Sequence, residues 1–237
     1  MNGKQIALVS GANRGLGLSI AKGLSRAGFH VLAGCRDLET GQRIFSPSSS
    51  DGIEPVQLEV TDENSIERLR QFIADKFGKI DVLINNAGLS ADMTPSLSTR
   101  DRYRNTFDVN VLGVVLLTEG MLPLLQNSDH ARIVNISSSL ASFTLRSDAS
   151  WPYASFQLPF YQASKAALNA LTLSHATAFA EHGIKVNAVC PGFTATEATQ
   201  FQGRNVDESA EIAIRLAQIG VDGPTGAFVD DGGTVAW

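Results

Sequence analysis

Short apolar runs rich in β-branched residues alternate with longer stretches whose apolar residues recur every three or four positions, and this alternation restricts the fold more than any other feature of the chain. The runs fall at residues 6–9, 30–33, 56–58, 82–84, 133–136, 186–189 and 227–229. Helical patterns occupy 16–27, 66–77, 103–125, 163–180 and 208–219. Strands that are apolar on both faces belong in a parallel sheet covered by helices on each side. The expected fold is therefore α/β, one doubly wound domain spanning residues 1–237, with seven parallel strands. A chain of 237 residues, 43% of them hydrophobic, can bury the core such a domain requires. In sheets of this kind ligands bind outside the carboxyl ends of the strands, so chemistry is to be sought in the loops that follow the apolar runs.

Charge excludes several classes of partner. The formal net charge is −5, and no dense Lys/Arg cluster is present, which argues against nucleic acid or an anionic membrane. The nearest approach to a cluster, Arg100, Arg102 and Arg104, is interrupted by Asp101 and reads as the solvated start of a helix. Cys35 and Cys190 each sit in or beside an apolar run and are expected to be buried free thiols in a reducing compartment. The four histidines have no metal-ligand spacing, so no metal is expected. With neither a signal-peptide pattern nor an apolar run long enough to span a bilayer, the expectation is a soluble, cytoplasmic protein. Two stretches break the alternation. Residues 46–52 are polar and turn-rich, an expected surface loop. Residues 139–160 are long, contain Pro152 and Pro159, and carry Phe143, Trp151, Tyr153, Phe156 and Phe160, the pattern of a functional insertion.

Two motifs stand at the expected strand ends. After the first strand comes Ser10-Gly11-Ala12-Asn13-Arg14-Gly15-Leu16-Gly17, with a helix starting inside it. Glycines there let the backbone turn tightly and bring a diphosphate against unpaired helix N–H groups. Tyr161 and Lys165 lie four residues apart, on one face of the helix expected there. At about 4 Å and an effective dielectric of about 20, the ammonium would stabilise a phenolate by about 4 kcal/mol, roughly three pK units before burial opposes it. Tyr153 has Gln157 rather than lysine four residues on, and Tyr161 is the better acid/base candidate.

The spacing Gly11-x-x-x-Gly15-x-Gly17 resembles that of the short-chain dehydrogenase/reductase family. The resemblance extends in order through Asn85-Asn86-Ala87-Gly88, Asn110, Ser137-Ser138, Tyr161 with Lys165, and Pro191-Gly192, and so covers essentially the whole chain. It implies a Rossmann-type domain that reduces a carbonyl or oxidises an alcohol with a nicotinamide dinucleotide. The implied catalytic residues are Ser138, which would hydrogen-bond the substrate oxygen, and Tyr161, which would donate the proton. Lys165 would lower the Tyr161 pKa and hold the nicotinamide ribose, and Asn110 would fix a water leading to solvent. The residues alone do not choose among Ser137, Ser138 and Ser139; the resemblance favours Ser138. The implied dinucleotide contacts are Gly11, Asn13, Arg14, Gly15, Leu16, Gly17, Arg36, Glu59, Val60, Asn86, Ala87, Gly88, Tyr161, Lys165, Pro191, Gly192, Thr194 and Thr196.

The second strand ends at Cys35-Arg36, where NAD-dependent proteins of this type carry an acid for the ribose 2′-hydroxyl. A guanidinium there, with Arg14 in the glycine loop, suits a 2′-phosphate. NADP(H) is accordingly expected over NAD(H), with Asp37 a further candidate for the ribose. The expected substrate is a small or medium apolar ketone, aldehyde or quinone. The alternatives are a 3-oxoacyl group on an acyl carrier protein, or a dinucleotide sensor that has lost the chemistry. An acidic carrier needs basic residues near the mouth, and this chain has Asp129 and His182 where such reductases tend to carry arginines. Twenty-two residues separate Ser138 from Tyr161, an insertion resembling that of monomeric carbonyl reductases. Homodimer or homotetramer and monomer both remain open.

Overall fold

The structure, a computed structural model, describes residues 3–46 and 52–237; most of the polar loop expected at 46–52 lies outside the described residues. One sheet runs in the order β3-β2-β1-β4-β5-β6-β7-β8. Its strands are β1 (Ile6–Ser10), β2 (His30–Cys35), β3 (Ile53–Gln57), β4 (Val82–Asn85), β5 (Arg132–Ile136), β6 (Lys185–Val189), β7 (Phe228–Asp230) and β8 (Gly233–Thr234). The first seven pair in parallel. The eighth, beyond the seven expected, is a two-residue antiparallel edge strand that the chain forms by turning back on β7. Among the described residues the α-helices are α1 (Gly15–Arg26), α2 (Leu38–Ile44), α3 (Glu63–Lys76), α4 (Thr99–Phe107), α5 (Gly113–Gln126), α6 (Phe143–Ser147), α7 (Pro159–Ala178) and α8 (Val206–Ala217).

The β1, β4, β5 and β6 strands are buried along nearly their whole length, as their unbroken apolar runs require. Two cores result. One sets α1 and α8 against the sheet through Ile20, Leu24, Ile212 and Leu216; the other sets α3 and α5 against its opposite face through Leu69, Ile73, Leu117, Met121 and Leu125. The strand order reverses between β1 and β4, which places the ligand crevice at the carboxyl ends of those two strands.

Several elements depart from expectation for identifiable reasons. α2 has too few apolar residues to show a period and is held by Asp37, whose side chain accepts from the backbone N–H of Glu39 and Thr40. The helix expected at 103–125 starts earlier, capped by Ser98. It runs from Thr99 to Gln126 through a π-helical turn at Asp108–Leu112. This 28-residue run is long and apolar enough to cross a membrane by length and composition, contrary to the expectation of no such segment, yet its apolar stripe is packed on the sheet. The 139–160 insertion contains a 3₁₀ turn and α6. α7 begins at Pro159, four residues ahead of the expected 163, because proline at the first helical position costs no hydrogen bond. Cys35 and Cys190 are buried free thiols, as expected.

Candidate active site

The glycine loop leaves β1 and enters α1 with φ of 64° at Gly11 and 50° at Gly15, left-handed conformations that glycine adopts without strain. Gly17 is needed for a different reason: a Cβ there would stand 2.3 Å from the Gly11 carbonyl oxygen and 2.4 Å from Asn86 Nδ2. Arg14 occupies the N-cap of α1 and offers no side-chain cap. The first-turn N–H groups of a twelve-residue helix thus face the crevice without a side-chain acceptor, which fits an anion such as a diphosphate.

The loop is tied to the end of β4. Ser10 Oγ accepts from the backbone N–H of Asn86 and Ala87, both at 3.0 Å, and donates to the Ile84 carbonyl. Asn86 Nδ2 donates to the carbonyls of Ser10 and Gly11. Serine at position 10 therefore does the bridging that its hydroxyl allows.

At the carboxyl end of β5 three expected residues come together. Ser138 Oγ accepts from the Leu140 N–H at 3.2 Å, and its hydroxyl lies near enough to the Tyr161 phenol to favour the phenolate. Lys165 Nζ lies 5.7 Å from the centre of the Tyr161 ring and donates to the Ile136 carbonyl at 2.7 Å. The structure separates the three serines: Ser137 is spent on Asn169 at 2.6 Å, Ser139 takes its backbone N–H to Cys190 Sγ, and Ser138 faces the phenol. Tyr153 stands apart in the insertion, edge-on to Trp151 and Phe156.

The electrostatics correct one expectation. Burial pushes the Tyr161 phenol up to about 12, with Cys190 adding to the rise and Ser138 opposing it. Burial pulls the Lys165 ammonium down to about 8. Burial thus leaves Lys165 uncharged before the phenol would titrate, so the expected stabilisation by the lysine charge is missing and the phenol holds its proton throughout the neutral range.

Asn110 sits in the π-helical turn and is fully buried. Its Nδ2 donates to the Leu89 carbonyl and to Ser164 Oγ, and its Oδ1 accepts from the Leu89 N–H. Both amide hydrogens are therefore committed to fastening the loop after β4 to α7, which leaves no side-chain donor for the expected water. Gly88 is close by: a Cβ there would come within 3.3 Å of Asn110 Oδ1 and 3.5 Å of Lys165 Nζ.

The remaining expected contacts are more varied. Arg36 is exposed beyond β2. Arg14 is ion-paired with Glu197 from the loop after β6, both side chains being more than half exposed. The Asp37 side chain caps α2 and accepts from the Thr40 hydroxyl. The Glu59 carboxylate turns back on Thr61, while Val60 is buried against the position of Gly113. Thr194 does not point its hydroxyl into the crevice but buries it against Ser209 at 2.9 Å. Thr196 does approach the glycine loop, its methyl 3.4 Å from where a Gly15 Cβ would be. Gly192 turns the chain after Pro191 with φ of 77°. Arg102 is not merely solvated: it donates to the Asp92 carbonyl and lies over the Phe160 ring.

Sequence reasoning missed three residues here. Arg146 Nη1 donates to the carbonyls of Tyr153, Ala154 and Phe156 and so braces the insertion. Asp92 accepts from the backbone of Phe160 and Tyr161. Glu197 reaches Arg14. All three act across long sequence separations or inside a loop, where no periodicity marks them.

A family model described as short chain dehydrogenase matches residues 5–207. The chain is 31% identical to short-chain dehydrogenase anuI of Penicillium roqueforti, covering 98% of this chain and 96% of that protein. It is 36% identical to the 3-oxoacyl-acyl-carrier-protein reductase FabG of Haemophilus influenzae over 84% of this chain and 78% of the relative. Among solved structures it resembles the NADPH-bound carbonyl reductase from chicken fatty liver, with a TM-score of 0.85, 29% identity and 99% of each chain covered.

Proposed function

The chain belongs to the short-chain dehydrogenase/reductase family, an oxidoreductase acting on carbonyl groups with a nicotinamide dinucleotide, and from that premise we propose that it reduces an apolar ketone, aldehyde or quinone with NADPH, Tyr161 donating the proton. The observation that carries this reading is the meeting of Ser138, Tyr161 and Lys165 at the end of β5, beside a glycine loop whose helix N–H groups await an anion.

When bound, the dinucleotide supplies the hydride. The chain's own residues do the rest. The first-turn N–H groups of α1 would hold the diphosphate, and Lys165, with one hydrogen on the Ile136 carbonyl, has two left for ribose hydroxyls. Ser138 would donate to the substrate oxygen and fix it at the phenol. A phenol with a pKa of about 12 stays protonated at neutral pH. It still gives its proton downhill to an alkoxide, whose conjugate alcohol is a weaker acid than the phenol.

The apolar substrate class is supported by the side chains exposed in the segments that follow β4, β5 and β6: Met93, Phe143, Tyr153, Phe156, Phe193 and Phe201. A panel of carbonyl compounds with NADPH, followed at 340 nm, tests the reading; turnover of apolar ketones or quinones is the expected outcome. Reduction of 3-oxoacyl thioesters is a second reading, motivated by the likeness to the FabG relative. Asp129 and His182 bear on it less than expected, because they precede β5 and β6 and lie at the opposite edge of the sheet from the mouth. Selective turnover of the thioester in the same panel would favour it. Dinucleotide binding with no turnover at all would favour the sensor.

For NADPH over NADH the support is Arg36 and Arg14. The Arg14–Glu197 pair is exposed and worth about 0–1 kcal/mol, so it yields readily to a phosphate. Arg36→Ala is expected to raise the Kd for NADPH about 10- to 100-fold, the worth of one charge-assisted hydrogen-bonded pair, with NADH affected less than about 2-fold. Titration of tryptophan fluorescence with each dinucleotide reads the ratio. Equal losses for both would remove the 2′-phosphate assignment.

A further inference from the structure

α7 starts without a cap of its own. Its N-cap residue, Leu158, has no side chain able to accept a hydrogen bond, and the N–H groups of the second and third helical residues, Phe160 and Tyr161, would be orphaned. The missing acceptor comes from the loop after β4. Asp92 Oδ1 accepts from the Phe160 N–H at 2.9 Å and Asp92 Oδ2 from the Tyr161 N–H at 3.0 Å. Each carboxylate oxygen thus takes one donor, 68 and 69 residues away in the chain.

Asp92 is itself firmly placed. It is 8% exposed; Ser90 Oγ donates to its Oδ2 at 3.0 Å, and Arg102 donates to its backbone carbonyl at 3.1 Å. It ends a strap that is fastened at four residues. Asn86 and Ala87 are held by Ser10 of the glycine loop, Leu89 by Asn110 at both its N–H and its carbonyl, and Ala91 by Thr106. The strap runs from the glycine loop to the backbone of the residue that carries the phenol.

We propose that Asp92 is a positioning residue, a carboxylate that caps α7 from the 86–92 strap and thereby sets where the Tyr161 phenol stands relative to the dinucleotide. A local cap would start the helix equally well but would leave its first turn free to shift against the strap. The proposal rests on the assignment of Tyr161 as proton donor. Misplacement of a reacting group by about 1 Å costs about 10²-fold in rate.

The test separates capping from positioning. Asp92→Ala is expected to lower kcat by about 10-fold or more while the Kd for NADPH stays within about 2-fold. In Asp92→Ala/Leu158→Ser a serine at the helix's own N-cap returns a local acceptor. The melting temperature is expected to recover while kcat does not; recovery of both together would reduce Asp92 to a helix cap and overturn the proposal. If Asp92→Ala does not fold, or the serine fails to restore stability, Asp92→Asn decides. It keeps the volume and one acceptor oxygen, so a reduced kcat measured well below its melting temperature, with unchanged Kd, supports positioning, and an unchanged kcat overturns it. Tyr161→Phe is assayed alongside: an active Tyr161→Phe would sink the proton-donor reading itself, whereas an inactive one beside fully active Asp92 variants would sink only the positioning role.

Discussion

Tyr161→Phe is expected to lower kcat for carbonyl reduction by about 10²- to 10⁴-fold, the range that a positioned general acid contributes. The Kd for NADPH should stay within a few-fold. The substitution removes one oxygen from a ring whose placement depends on backbone contacts to Asp92 and on the packing of α7, all of which phenylalanine retains. Stopped-flow or steady-state measurement at 340 nm gives kcat, and fluorescence titration gives the Kd. Because the phenol stays protonated up to about 12, the wild-type rate should show no loss through Tyr161 ionisation below about pH 10. A variant that kept more than a tenth of the wild-type kcat would end the proposed mechanism.

Lys165→Met is expected to change both activity and the pH dependence of stability. The ammonium is buried and its pKa is drawn down to about 8 from 10.5. The sign follows from proton counting. Between about pH 8 and 10.5 the unfolded chain binds more protons at this lysine than the folded one, so stability rises with pH through that window. From pH 7 to pH 10 the contribution is on the order of 2–3 kcal/mol, and Lys165→Met should lack it. Tyr161 acts oppositely, but only above about pH 10, where the unfolded phenol loses its proton first. Urea unfolding of both proteins at pH 7, 8, 9 and 10 isolates the lysine as the difference between two slopes. Parallel profiles would mean that the folded ammonium is not penalised by burial. At any single pH the comparison is less informative, because methionine also strands the Ile136 carbonyl that Lys165 Nζ satisfies. The same variant should lower kcat by at least about 10²-fold and weaken NADPH, since it removes the donors placed to hold the ribose.

Much of this site was readable from the chain. The glycine loop announces itself because a tight turn into a helix needs glycine at fixed offsets, and the positive φ of Gly11 and Gly15 bears this out. Tyr161 and Lys165 announce themselves by helical spacing within one element. The choice of Ser138 over Ser137 came only through the family resemblance, not from the residues themselves. Both follow the same strand, and only the structure shows the Ser137 hydroxyl buried on Asn169 while Ser138 Oγ accepts from the Leu140 N–H. Thr194 illustrates the same limit from the other side: its place in a motif suggested the crevice, while its hydroxyl is used against Ser209. The start of α7 was obscured by Pro159, which reads as a breaker in a loop and serves as the first residue of a helix.

Local information settled what local physics governs. Apolar runs on two faces required a parallel sheet between helices, and the loop glycines and helical offsets placed a phosphate turn and an acid/base pair at strand ends. Those requirements act over a few residues, so the amino-acid sequence determines them by itself. The tertiary structure alone decided how buried the phenol and ammonium are, and hence that burial raises the one pKa and lowers the other. It alone brought the Asp92 carboxylate to the Tyr161 N–H and Glu197 to Arg14, across 69 and 183 residues. Solvent exclusion and contacts of that length are properties of the assembled sheet and its loops. No pattern within one segment encodes them, because their energies exist only once distant segments meet.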